Sequence, residues 1–200
     1  MPEATLKHVR GMAHASAVPV LDPAELSESV FIGEYVAKSR PCLIKGAAGH
    51  WSALKKWRDR EYLKNRSGHH NVFLYPHEYR ITRERMGAEK RIVKFAEAID
   101  YLHSEEADVA MVVTGLPVEL QADTGGFPFL TRTELAFSYS PIRFFFYKNA
   151  GTTWHYHPFD ETLMCHIVGT KQVGLLDANS PFHIALRTFF FRIFRSKSQI

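Results

Sequence analysis

The sequence predicts a mixed fold of helices and strands that turns mainly β in its last third. Three observations carry this. A segment after Asp22 places apolar residues at near-helical spacing. Short apolar runs bounded by Gly, Pro and Asn recur through the middle of the chain. From Pro141 onward three such runs, "IRFFFYKN", "ETLMCHIVG" and "KQVGLLDA", follow one another with turn signals between them, the pattern of consecutive antiparallel strands. At 200 residues, with 46% hydrophobic and 13% aromatic side chains, the chain is long and apolar enough to bury a sizeable core.

The elements follow in order. Residues 1–18 are small and mixed, a flexible lead-in to the domain proper. In "LDPAELSESVFIGEYVAKS", Asp22 is placed to cap a helix and Pro23 to open it. Leu26, Val30, Phe31, Ile32 and Tyr35 would form the apolar stripe, over about 14 residues. "PCLIKG" reads as a short strand stopped by Gly46, and "HWSALKKWRDREYLKNRSG" as one or two short helices closed by Gly68. "NVFLYP" is a strand ended by Pro76. A basic loop then leads into "IVKFAEAIDYLHSEEA", where Val93, Ala96, Ile99 and Leu102 share a helical face. "DVAMVVTGLP" is a strand ended by Gly115 and Pro117, and "QADTGGFPFLT" a loop rich in Gly and Pro. The last segment, "PFHIALRTFFFRIFRSKSQI", breaks this rhythm and reads as an atypical tail over residues 181–200.

Charge points to no class of partner. The net charge is +4 and the pI near 9.1, but residues 181–200 hold Arg187, Arg192, Arg195 and Lys197 with no acid. The rest of the chain is balanced, so no nucleic-acid surface is indicated. The basic loop from Arg80 to Arg91 can receive an acidic peptide or simply be solvated. In the tail, Phe189, Phe190, Phe191 and Phe194 interleave with Arg192 and Arg195. That is either an accidental hydrophobic end or an element for a membrane surface or partner. No apolar window reaches the roughly 18 residues of a membrane span, and the N-terminus lacks a signal-peptide core, so a cytoplasmic protein is expected, with the nucleus also open to it. Cys42 and Cys165 sit far apart in apolar runs, the setting of buried free thiols.

The chemistry concentrates in "GTTWHYHPFDE". On a strand, residues two apart face the same way, so His155 and His157 can aim at one point. Imidazole suits first-row transition metals, and a carboxylate from Asp160 or Glu161 would complete a set of two histidines and one acid. A polar turn between strands remains the competing reading. "GHH" at His69 and His70 falls in an expected loop without an apolar shell and reads as solvated, and His166 in "MCHIVG" as a core or supporting group.

Two blocks of the chain resemble a family. "RPCLIKGAAGHWSALKKW" followed by "EYL", and "GTTWHYHPFDETLMCHIVGTKQVGLL", are similar to the cupin-like JmjC proteins, the relatives of the asparaginyl hydroxylase that acts on hypoxia-inducible factor. The resemblance spans roughly residues 20–178. It implies a double-stranded β-helix with N-terminal helices over residues 19–180, and Fe(II)- and 2-oxoglutarate-dependent hydroxylation of protein side chains, with another divalent metal also open. His155 matches the first iron ligand. Lys171 in "GTK" and Thr152 match the groups that hold the distal carboxylate of 2-oxoglutarate. His157 stands where the family usually has Asp, and Glu161 is the carboxylate that can take its place. The family's distal histidine has no counterpart here, since only His166 and His183 follow. The resemblance therefore implies a barrel incomplete at the C-terminus, calling for an oligomer or a completing partner. A scaffold of the same fold that binds metal or protein without catalysis is the alternative.

Overall fold

The computed structural model describes residues 15–75, 90–107, 110–131, 142–150 and 162–177. The chain divides into two compact units, one of Ala17–Gly169 and one of Met1–Ser16 with Thr170–Ile200.

The larger unit opens with β1 (Val20–Leu21), which pairs in parallel with β2 (Leu43–Ile44). Between them runs one short helical segment, α1 (Glu28–Val30), continued by a π-helical stretch over Phe31–Val36. This corrects the expected 14-residue helix. Asp22 caps only a turn, its carboxylate accepting the Ala24 N–H at 2.8 Å, and the true N-cap is Ser27, whose hydroxyl accepts from the Val30 N–H at 3.3 Å. The ladder with β2 ends at Leu21, and residues 23–25 then close a turn, the Glu25 N–H donating to the Asp22 carbonyl at 3.2 Å. Leu26, Phe31, Ala47 and Phe129 bury themselves together, with the Phe31 and Phe129 rings edge to face at 5.0 Å. Glu28 ties this layer to the far loop by accepting from the backbone N–H and hydroxyl of Thr131.

Gly46, at φ 84°, stops β2 in a conformation that side chains with a Cβ rarely adopt. Then α2 (Ala53–Lys56) and α3 (Arg60–Ser67) realise the two expected short helices. Asp59 caps α3 by accepting from the backbone N–H groups of Glu61 and Tyr62.

The main sheet holds β3 (Asn71–Tyr75), β4 (Arg91–Lys94), β5 (Ala110–Gly115) and β6 (Arg143–Lys148), all antiparallel, in the order β4-β3-β5-β6. One face carries Val72, Leu74, Ala110, Val112 and Phe144 and packs on α4 (Phe95–His103), which buries Phe95, Ala98, Ile99 and Leu102. The expected helical stretch began at Ile92 and faced inward through Val93, Ala96, Ile99 and Leu102, of which Ile99 and Leu102 are buried as expected. Ile92 and Val93 instead pair with Phe73 and Val72 in β4, and the buried face is rotated accordingly. The opposite face aligns Ile92, Phe73, Val113 and Phe145 in one cross-strand row. There the Phe145 and Tyr147 rings stack at 5.8 Å and the Lys90 ammonium lies 4.8 Å over Phe73.

A four-residue helix, α5 (Val118–Gln121), follows β5, where the sequence pattern placed none. Residues 162–177 form no strand or helix, so the ladders expected from "ETLMCHIVG" and "KQVGLLDA" are not formed among the described residues. An antiparallel sheet with a few helices is nevertheless the mainly β, jelly-roll-like class that the resemblance implied. Among the described residues no helix is long and apolar enough to cross a membrane.

Candidate functional site

β6 delivers the chain to the histidine block. Its inward residue Phe144 meets Phe95 at 5.8 Å and Trp57 at 5.3 Å, both edge to face, which fixes the strand against the core. Asn149, with φ 50°, then turns the chain out of the strand three residues before Thr152. Thr152, His155, His157 and Glu161 lie outside the described residues, as does His183. Lys171 is described. It is exposed overall, while partial burial of its ammonium lowers its pKa. His166 is exposed and in no strand, which corrects its expected place in the interior. Cys42 and Cys165 are free and half-buried, and burial raises both thiol pKa values.

What the first resemblance block does becomes visible around one carboxylate. Asp123, only 3% exposed, sits in the loop after α5. Its Oδ1 accepts from the Ser52 hydroxyl at 2.9 Å and the Lys56 ammonium at 2.6 Å. Its Oδ2 accepts from the Trp57 indole N–H at 3.1 Å and the Tyr62 hydroxyl at 2.6 Å. The four donors are the Ser, second Lys, second Trp and Tyr of "HWSALKKWRDREYL". Burial pushes the Asp123 carboxyl up. The bonds from Lys56, Tyr62, Trp57 and Ser52 outweigh it and hold the pKa down at about 2. The same carboxylate raises the pKa of both Tyr62 and Lys56. Nearby, the Trp51 indole N–H and a His50 ring nitrogen reach the Gly126 carbonyl, at 3.4 and 3.1 Å. The block thus ties α2 and α3 to the loop behind β5, and through Trp57 to β6. Nothing in the sequence singled out Asp123, because an aspartate in a Gly-rich loop reads as a turn residue.

A second polar cluster joins the α3–β3 junction to α5. His70 Nε2 lies 2.8 Å from Glu119 Oε2, and His69 Nε2 lies 3.5 Å from Glu119 Oε1. The two imidazoles are tilted by 35° with centroids 4.2 Å apart. The expectation of a merely solvated pair is corrected: His70 and Glu119 are half-buried and bonded to one another. Glu119 has a lowered pKa, first through its own backbone N–H and then through His70. These three side chains are the described residues whose ligand atoms could hold a metal ion.

Comparison with known proteins fits this architecture. A family model described as a cupin-like domain matches residues 27–181, a span that contains the Asp123 knot, the sheet and the whole histidine block. The lysine-specific demethylase JMJ32 of Arabidopsis thaliana is similar in sequence, with 37% identity over 57 residues. Those residues are 28% of this chain, and they cover only 16% of the length of that demethylase. An antiparallel sheet backed by short N-terminal helices, leading by its edge strand into a histidine-rich block, therefore belongs to a chain of the cupin-like domain family of JmjC type.

Proposed function

We propose that the chain is a 2-oxoglutarate oxygenase of JmjC type that hydroxylates protein side chains. One observation carries the proposal: the cupin-like match over residues 27–181 spans the stretch "GTTWHYHPFDE". In this reading His155, His157 and Glu161 hold the metal, and Thr152 and Lys171 take the distal carboxylate of 2-oxoglutarate. The donor set fits, since two imidazoles and one carboxylate are the ligand chemistry of non-haem Fe(II). Glu161 restores the negative charge that His157 removes from the usual pattern. Partial burial of the Lys171 ammonium supports its role: a cation that has lost hydration gains more from pairing with a carboxylate than a fully solvated one.

Bound Fe(II) with 2-oxoglutarate would supply the oxidising chemistry for a C–H bond. The chain's own residues would orient the cosubstrate, through the charge of Lys171 and the hydroxyl of Thr152, and keep the site dry with the flanking Trp154 and Phe159. The demethylase named above suggests a methylated lysine as one protein side chain within reach of such chemistry. A peptide or protein substrate would arrive from solution, with the basic stretch from Arg80 to Arg91 suited to acidic segments.

The test is an anaerobic titration with Fe(II) and then 2-oxoglutarate, followed by the visible metal-to-ligand charge-transfer band. A band abolished by His155→Ala is expected. A folded protein without the band, or one whose band survives His155→Ala, would overturn the proposal and favour the non-catalytic scaffold.

A further inference from the structure

We propose that His69, His70 and Glu119 form a second divalent-metal site, of zinc class, separate from the histidine block of residues 151–161. In a regular strand, neighbouring side chains point to opposite faces. His69 and His70 avoid this because they lie in the bend between α3 and β3, where both rings turn to the same carboxylate.

The bend is held through its own main-chain carbonyls. The His70 carbonyl accepts from the Phe95 N–H at 2.8 Å and the Gly68 carbonyl from the Ala96 N–H at 3.1 Å, so the first turn of α4 rests on this segment. The Lys94 ammonium donates to the His69 carbonyl at 2.9 Å. Gly68 permits this approach, because a Cβ there would fall 2.9 Å from the Ala96 Cβ and press on the Lys64 carbonyl oxygen. On the α5 side, the Arg66 guanidinium donates to the Glu119 carbonyl at 2.9 Å and fixes the third residue. Both sides of the site are positioned by backbone contacts that do not use the ligand atoms.

The spacing suits a tetrahedral ion. Zinc with nitrogen and oxygen ligands about 2.0–2.2 Å away places those ligands about 3.4 Å from one another. The His69–Glu119 separation of 3.5 Å already matches, and all the ligand atoms lie within 4.8 Å of each other. The His70–Glu119 separation of 2.8 Å is a hydrogen bond, which an ion would replace by moving the two atoms apart by less than 1 Å. His69 is 66% exposed at its side chain, so an ion can enter from solvent and keep a water as fourth ligand. Bound there, the ion would staple α5 to the junction of α3 and β3.

Titration of the full chain with Co(II), reading the visible bands of the bound ion, tests the site. One equivalent is expected to persist in the double variant His155→Ala/His157→Ala. His69→Ala, at an exposed position that leaves folding intact, is expected to reduce the stoichiometry of the otherwise unchanged chain by one equivalent or to weaken that equivalent at least tenfold. Glu119→Gln should do the same. Unaltered Co(II) binding in His69→Ala, or the absence of any equivalent beyond that removed by His155→Ala, would overturn the proposal. Neither outcome bears on the charge-transfer band that tests the oxygenase reading.

Discussion

Replacing Asp123 by asparagine keeps the shape of the side chain and removes its charge and one of its two acceptor oxygens. Each carboxylate oxygen takes two donors: Ser52 and Lys56 on Oδ1, Trp57 and Tyr62 on Oδ2. The amide of asparagine can serve only one of these pairs, and its own N–H groups then face the other. The Lys56 side chain is 44% exposed and can turn to water, whereas the carboxylate is 2% exposed, so the loss falls mainly on the bonds made inside. The fall of the Asp123 pKa from its ordinary 3.8 to about 2 corresponds to about 2 kcal/mol of stability from ionisation. Two donors left without an acceptor add a further cost, for a total of about 3 kcal/mol. With a urea dependence of about 2 kcal/mol per molar, the unfolding midpoint should fall by about 1.5 M.

The pH dependence checks the cause. Because the folded pKa is depressed, the contribution is complete above the unfolded value of 3.8 and disappears as pH falls through about 2. The stability difference between the natural protein and Asp123→Asn should therefore shrink from about pH 5 to about pH 2. Urea titrations of both proteins across that interval measure it. A loss below about 1 kcal/mol at neutral pH, or a difference that does not change with pH, would refute the reasoning.

Other predictions test the packing around the same helices. Gly68→Ala should destabilise by about 2 kcal/mol or more, since its Cβ would press on backbone and on Ala96 rather than on a flexible side chain; thermal unfolding followed by circular dichroism measures the loss. Ser67 is fully buried, and its hydroxyl has no hydrogen-bond partner among the described residues. Ser67→Ala removes that polar group from a helix end and should leave stability unchanged or raise it by about 1 kcal/mol, measured in the same assay.

Strands β3, β5 and β6 were legible because their apolar alternation and their Gly and Pro stops are local signals, and the antiparallel ladder accepted them without change. The helix expected after Asp22 gives way to a turn, because the Asp22 carboxylate bonds the Ala24 N–H two residues on and Ser27 takes the N-cap. The start of α4 moved for a non-local reason: Arg91–Lys94 pair with β3, and no window around Val93 contains that partner. The candidate site divides likewise. His155 and His157 stand out by spacing alone, and Thr152 and Lys171 by their family context. The pairing of His69 and His70 with Glu119 needed a helix that the pattern did not announce.

Strands β3, β5 and β6, the cupin-like family membership and the residue types available for metal chemistry were all readable from the amino-acid order alone. These are properties of side-chain identity and short-range period. Which charges are buried, and with which partners, follows from the three-dimensional packing. Asp123 lies 61 to 71 residues from its four donors, and Glu119 lies 49 residues from His70. Asp123 acquires its lowered pKa, and His70 its carboxylate partner, because folding brings such distant groups within bonding reach, in Asp123 against the opposing effect of burial, and no local pattern encodes that distance.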